Sequence, residues 1–343
     1  MRVAMLTGGG DCPGLNAVMR AVVRKGQAVY GDELVGMRDG WRGAIEGNLV
    51  ELSVDSFRGT LPRGGTILGS SRTNPYTVDG GADAVKATLA DNAVDALVAI
   101  GGEDTLGVAS RLAAEGVPVI GVPKTIDNDL SATELTFGFD TAVQVCVDAI
   151  DRLHTTAESH DRVIVVEVMG RHAGWIALES GLAGGAHAIL IPEQPPSVEA
   201  VCDRIRGRRE RGRGYAIVVV SEGVELEDEA DDGTVDEFGH RQLAKSGVAE
   251  ALAERIAAET GAEARAVVLG HVQRGGTPIA FDRVLATRYG TRAAELVAEG
   301  GFGRMVALRA DHVIDIALED AVSELKTVPE LIYRRAEAVV SGP

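Results

Sequence analysis

Seven short apolar runs, rich in valine, isoleucine and alanine, recur at residues 3–7, 94–102, 117–123, 163–170, 186–192, 216–223 and 266–270, and each runs into glycine or proline. Continuous apolarity, without the alternation of a half-exposed strand, predicts strands covered on both faces, as in a parallel sheet. Between them, at 17–30, 105–115, 142–159, 248–260 and 282–299, apolar residues return every three or four positions, which predicts helices laid on those sheets. The alternation of the two patterns predicts an α/β fold of two doubly wound domains with mainly parallel sheets. In such folds ligands gather beyond the carboxyl ends of the strands, and the glycine-rich polar clusters of this sequence fall there. No repeat of solenoid length and no heptad pattern is present.

At 343 residues, with 45% hydrophobic and 25% charged positions, the chain has room for two domains and the make-up of a folded protein. Its formal charge of −17 argues against a nucleic-acid partner, because phosphate backbones need a broad basic surface. A small anionic ligand would need local help from Arg, Lys, a metal ion and backbone amides, so the basic residues beside glycine loops become informative. No apolar run reaches the roughly 18–20 residues that span a bilayer, and the N-terminus lacks the apolar core of a signal peptide. A cytoplasmic protein with no membrane partner is expected. Cys12, Cys146 and Cys202 are odd in number and scattered, which fits packing residues better than a disulfide framework or a zinc site. The run ELEDEADD at 225–232, with the polar stretch after it to His240, reads as a solvated surface loop.

The first run leads into GGGDCPGLN, residues 8–16, ahead of a predicted helix. Glycine lets backbone approach an anion and a helix N-terminus adds amides, so a phosphate cradle and a plain strand-to-helix turn both fit; the spacing matches neither GxGxxG nor the P-loop. GGEDT, residues 101–105, sets Glu103 and Asp104 at a strand end, where oxygen ligands suit a hard cation. Glu103 is the candidate ligand for Mg2+, directly or through water, against the plainer possibility that Asp104 or Thr105 caps a helix. PKTIDNDL, residues 123–130, puts Lys124, Thr125, Asp127 and Asp129 into one loop. A carboxylate to take a hydroxyl proton, a hydroxyl to position a phosphate and a cation to neutralise charge are the parts of phosphoryl transfer, although Asp and Asn are also ordinary loop residues. MGRHAGW (169–175), SEG (221–223) and GHVQRGGTP (270–278) close later runs, and GSSRTNP (69–75) adds Arg72. Arginines at several strand ends can hold phosphate by paired hydrogen bonds, and Glu222 can accept from sugar hydroxyls.

Taken in order, GGGDCPGLN, GSSR, GGEDT, PKTIDND, MGRHAGW, SEG and GHVQRGG resemble the motifs of the bacterial phosphofructokinase family, closest to its pyrophosphate-dependent members. The resemblance covers most of the chain and is weakest over the acidic loop and the last forty residues. It implies transfer of a phosphoryl group to the 1-hydroxyl of fructose 6-phosphate. It also implies a donor and magnesium domain of residues 1–138 plus 273–323 and a sugar-phosphate domain of 139–272 plus 324–343, with the active site in the cleft between them. Asp127 becomes the base, and Lys124, Thr125 and Arg171 complete the catalytic set. Thr125, Asp127, Asp129, Met169, Gly170, Arg171, Glu222, His271 and Arg274 match positions that bind the sugar phosphate. Arg162 and Arg265 match arginines that reach a neighbouring subunit's pocket, which implies a homodimer or homotetramer with shared active sites. Gly9, Gly10, Arg72, Asp104 and Lys124 attend the donor, and Glu103 the magnesium.

The donor turns on Asp104 and Lys124, since ATP-using relatives tend to have glycine at both places. By the resemblance, Asp104 stands where a nucleotide's α-phosphate would lie. Two like charges about 4 Å apart cost roughly 4 kcal/mol at an effective dielectric near 20, about a thousandfold against ATP. Pyrophosphate is therefore the expected donor, with ATP as the alternative and a non-catalytic sugar-phosphate sensor on the same fold as a second. A dinucleotide-dependent dehydrogenase is disfavoured by the missing GxGxxG. His154 and His187 stand where regulated relatives carry Arg and Glu, which speaks against an effector phosphate site of that kind. Glu103 replaces the more usual Asp.

Overall fold

The computed structural model describes residues 1–194, 197–226 and 247–340. Most of the acidic stretch expected to be a solvated loop lies outside them. In chain order, β1 (Arg2–Thr7), α1 (Leu15–Lys25), β2 (Glu33–Met37), α2 (Trp41–Glu46), β3 (Leu49–Leu52), α3 (Gly81–Asp91), β4 (Ala96–Gly101), α4 (Glu103–Ala114) and β5 (Val119–Pro123) come first. Next come α5 (Phe139–His160), β6 (Val163–Val168), α6 (Trp175–Ala183), β7 (Ala188–Leu190), α7 (Val198–Glu210), β8 (Ala216–Ser221), α8 (Val248–Thr260) and β9 (Ala264–Val268). The described chain closes with α9 (Ala280–Glu299), β10 (Arg304–Arg309), β11 (His312–Ala317), α10 (Leu318–Ala321) and α11 (Glu330–Val340). Two compact units result, Met1–Thr141 with Arg274–Lys326 and Ala142–Gln273 with Thr327–Pro343.

The first unit holds a seven-stranded sheet in the order β11-β10-β5-β4-β1-β2-β3. Its five inner strands run parallel, and β3 and β11 are antiparallel edges. Every residue of β4 is buried, as expected of a strand covered on both faces. Leu6, Val35, Met37, Trp41, Leu97 and Leu106 belong to the core on one of those faces. The second unit holds a wholly parallel sheet, β7-β8-β6-β9, with Val163, Val165, Val218, Ile205, Leu252 and Ile256 in its core. Among the described residues, no helix is long and apolar enough to cross a membrane.

The α/β architecture is as the sequence pattern predicts. The unpredicted strands include the edges β3 and β11, where Glu51 and Asp315 interrupt the apolar run, and edge strands need only one buried face. The expected helix at 17–30 is α1 followed by one π-helical turn, Gly26–Tyr30, which stops at left-handed Gly31 (φ 69°). The run at 266–270 is no buried strand. β9 begins two residues earlier, forms the sheet edge and leaves Val268 47% exposed, and Gly270–Arg274 is a 3-10 turn.

Candidate active site

Thr105, in the first turn of α4, sits beneath the carboxyl ends of β1 and β4. A Cβ at Gly8 would lie 2.5 Å from its Oγ1, and one at Gly101 only 2.2 Å from its Cβ. Glycine at both positions lets α4 start against the sheet. Its N-cap is Gly102, with no side-chain cap, so neither Asp104 nor Thr105 has the capping role that the sequence left open. Glu103 and Asp104 occupy the first turn instead, Glu103 half-buried and Asp104 exposed.

The first glycine loop is held from three sides. Gly9 N–H donates to Ser71 O at 3.0 Å and the Ser70 hydroxyl donates to Gly9 O, which fixes the GSSR segment here and leaves Arg72 exposed beside it. Lys124, 3% exposed, sends its ammonium to Gly10 O. Burial lowers the pKa of that ammonium, Arg274 pushes the same way, and Cys12 and Asp127 oppose. Arg274 donates to Asp11 O at 3.4 Å, with Nη1 2.6 Å from where a Cβ of Gly10 would be. Two cationic side chains thus converge on a glycine loop that precedes a helix, which in an acidic chain concentrates positive potential at one point. Arg274 was expected with the sugar-binding residues; it belongs to the first unit and meets the donor-side loop.

Beyond β5, Thr125 Oγ1 accepts from Asp127 N at 3.0 Å and donates to Asp127 Oδ2 at 3.4 Å, so the carboxylate is oriented by its own turn. Thr136 braces the loop, its hydroxyl donating to Thr125 O at 2.7 Å and its N–H to Asn128 Oδ1 at 3.2 Å. Asp127 keeps partial exposure. Asp129 differs: its Oδ1 is sealed without a hydrogen-bond partner among the described residues, and burial, then the charges of Asp127 and Glu103, push its pKa up to about 7.

In the second unit, the ends of β6 and β8 interlock. Glu222 N–H donates to Val168 O at 2.8 Å, Ser221 Oγ to Gly170 O at 2.6 Å, and Gly170 N–H to Glu222 Oε1 at 3.4 Å. Gly170 has φ 131°, and a Cβ there would meet Ala173 O at 2.6 Å and Ser221 Oγ at 2.7 Å, so no other residue fits. Buried Gln273 joins the 3-10 turn to the same place: its Oε1 accepts from Met169 N at 3.0 Å and Cys146 Sγ at 3.2 Å, and its Nε2 donates to Gly270 O at 3.0 Å. Met169, Gly170, Glu222 and the turn bearing exposed His271 are thereby brought together, with half-buried Arg171 next in the chain. Arg162 and Arg265 are not among them. Both pair with Glu263, at 2.8 and 2.6 Å, at the other end of the same sheet, about 20 Å away at ~3.3 Å per strand residue.

The family model described as Phosphofructokinase matches residues 2–297. The chain belongs to the phosphofructokinase family. It is 60% identical over 341 residues, 98% of this chain and 99% of the relative, to a pyrophosphate–fructose 6-phosphate 1-phosphotransferase of Amycolatopsis methanolica. It is 50% identical over 343 residues, 99% of this chain and 100% of the relative, to ATP-dependent 6-phosphofructokinase 3 of Streptomyces coelicolor. A solved structure of a pyrophosphate-dependent phosphofructokinase from Marinobacter aquaeolei matches with a TM-score of 0.82 at 26% identity, over 100% of this chain and 92% of that one.

Phosphofructokinase chemistry calls for a divalent cation, and the residues at the ends of β4 and β5 fit one that keeps most of its water. The charges of Asp127 and Glu103 both act on Asp129, whose Oδ1 is sealed without a hydrogen-bond donor among the described residues. Among the described residues no group of three His, Cys, Asp or Glu forms a ready cage. Magnesium takes only one or two carboxylates from a protein and leaves the rest of its octahedron to water and phosphate. Sequence reasoning about this phosphofructokinase missed Gln273 and Lys326, which hold loops in place. Gln273 lay in view inside GHVQRGG, whereas nothing in the sequence marks Lys326.

Proposed function

We propose that this phosphofructokinase transfers a phosphoryl group from pyrophosphate to the 1-hydroxyl of fructose 6-phosphate, giving fructose 1,6-bisphosphate and phosphate, in a reversible reaction. The observation that carries the proposal is 60% identity, over nearly the whole of both chains, to a relative named for that reaction, in a chain that keeps Asp127, Thr125 and Lys124. Asp127 accepts the proton of the 1-hydroxyl as its oxygen attacks the terminal phosphorus and the bond to the leaving phosphate breaks. Lys124, its ammonium already at Gly10 O, stabilises charge on the phosphoryl group in flight and on the leaving phosphate. Gly9, Gly10 and Arg72 attend the donor. Glu103 would hold Mg2+ through water, and the ion would supply neutralisation of the donor's charge. Thr125 and Asp129 order the loop, while Met169, Gly170, Arg171, Glu222, His271 and Arg274 serve the sugar phosphate. Arg162 and Arg265 serve the sugar phosphate of a neighbouring copy in a homodimer or homotetramer, for which their place at the far end of the sheet is the support.

The ATP alternative is favoured by the half-identical ATP-dependent relatives and opposed by the two charges at positions 104 and 124. Initial rates with fructose 6-phosphate and magnesium, pyrophosphate against ATP, separate the two. Preference for pyrophosphate in the natural chain, shifted toward ATP in the double variant Asp104→Gly, Lys124→Gly, is the expected outcome. Preference for ATP in the natural chain sinks the donor assignment, and no turnover with either favours the sensor.

A further inference from the structure

Lys326 ends the part of the first unit that returns after residue 273, beyond residues 2–297 that the family model matches. Its ammonium donates to Asn128 Oδ1 at 2.8 Å, Thr133 O at 3.0 Å and Glu134 O at 2.7 Å. Its backbone N–H donates to Asp129 O at 2.7 Å, and the preceding Leu325 pairs with Leu130 in an isolated antiparallel bridge. One residue therefore grips the loop that follows Asp127 by both main chain and side chain.

The loop needs such a grip. Asn128 has φ 52°, a left-handed conformation uncommon outside glycine that its surroundings must hold. Its Oδ1 also accepts from Thr136 N at 3.2 Å, and the Thr136 hydroxyl donates to the carbonyl of Thr125, whose own hydroxyl orients Asp127. A connected path thus runs from Lys326 through Asn128, Thr136 and Thr125 to Asp127. Burial lowers the pKa of Lys326 to about 8, with Asp129 and Glu134 opposing, so the group is still an ammonium at neutral pH. Removing it would strand Asn128 Oδ1 and two carbonyls without that donor, the costly way to break a hydrogen-bonded network.

We propose that Lys326 is a positioning residue for phosphoryl transfer, holding the 123–130 loop in the turn that aims the Asp127 carboxylate at the acceptor hydroxyl. The inference rests on that loop being catalytic, as assigned above. It predicts a loss in kcat with binding preserved, because Lys326 touches the turn and not the substrates.

The test uses the full chain with pyrophosphate, fructose 6-phosphate and magnesium. Wild-type turnover is measured first, and its absence overturns the functional assignment and this inference with it. Given turnover, Lys326→Ala should lower kcat roughly 50-fold with both KM values within about threefold, since misplacement by an ångström can cost on the order of a hundredfold. Lys326 keeps a strip of surface, so methylammonium or ethylammonium should restore about tenfold of the loss with saturation, where sodium at equal ionic strength does not. A kcat within twofold of wild type overturns the inference, as does a loss that no amine repairs and that tracks a fall in melting temperature. Should Lys326→Ala fail to fold, Asn128→Gly keeps the left-handed turn and deletes the acceptor; its kcat should fall at constant KM, and an unchanged kcat is the contrary result.

Discussion

The end of β5 and the start of β6 both carry polar groups that phosphoryl transfer would use, and they are finished to different degrees. After β5, Asp127 is oriented by Thr125, Thr125 by Thr136, and the following turn by Lys326, all within one unit. Ahead of β6, Arg162 shares the carboxylate of Glu263 with Arg265, and its Nε is buried with no hydrogen-bond partner among the described residues. In the first region a carboxylate is oriented by groups of its own chain, whereas the second presents two guanidiniums gathered around one carboxylate. If the site is shared between copies, as proposed, the difference has a reason: the Asp127 carboxylate would be set before substrate arrives, and a phosphate clamp lent to a neighbour would have to change partners.

Asp127→Ser gives the largest expected effect on that comparison. With the carboxylate gone and the loop intact, kcat should fall about a hundredfold or more while both KM values move little, measured by steady-state rates with pyrophosphate. An unchanged kcat would remove the proposed base.

Arg162→Ala comes next. Loss of a charge-assisted hydrogen bond to phosphate should raise KM for fructose 6-phosphate about tenfold, with kcat nearly retained. The sharper measurement mixes this variant with Asp127→Ser under conditions that let subunits exchange. If Arg162 serves a neighbour's pocket, hybrids own some pockets free of both lesions, and at fructose 6-phosphate well below KM a dimer mixed at random should recover about a quarter of wild-type activity. A mixture no better than the sum of its parts places Arg162 in the service of its own chain.

Much of the first region was legible in the sequence because local spacing encodes it. PKTIDND puts a carboxylate, a hydroxyl and a cation on one loop, and the glycines of GGGDC and GGEDT mark where α4 and Lys124 press against the backbone. The inner strands showed themselves as unbroken apolar runs. What stayed hidden depends on long-range pairing. Lys326 meets Asn128 from 198 positions away and has no periodicity or motif to betray it, and Arg274 reaches Asp11 across 263 positions. Edge strands β3 and β11 escaped for a related reason: half-exposed and interrupted by charge, they look like loop until a neighbour supplies the ladder.

Glu263 offers the smallest and most discriminating change. Its pKa is lowered by the hydrogen bond and charge of Arg162 and by Arg265, so it is a carboxylate throughout the neutral range. If the two arginines are to receive a phosphate from another copy, that phosphate competes with Glu263 for the same donors. Glu263→Gln keeps the shape and a hydrogen-bond acceptor while removing the competing charge. KM for fructose 6-phosphate should then fall roughly two- to threefold at low ionic strength, the scale of an exposed ion pair, and the advantage should shrink as salt screens both interactions. Melting temperature should be nearly unchanged, since such a pair adds little to stability. A KM that rises instead would mean that Glu263 holds the guanidiniums in the pose that phosphate needs; the two regions would then differ less than they look, each keeping its cations ordered by a partner of its own.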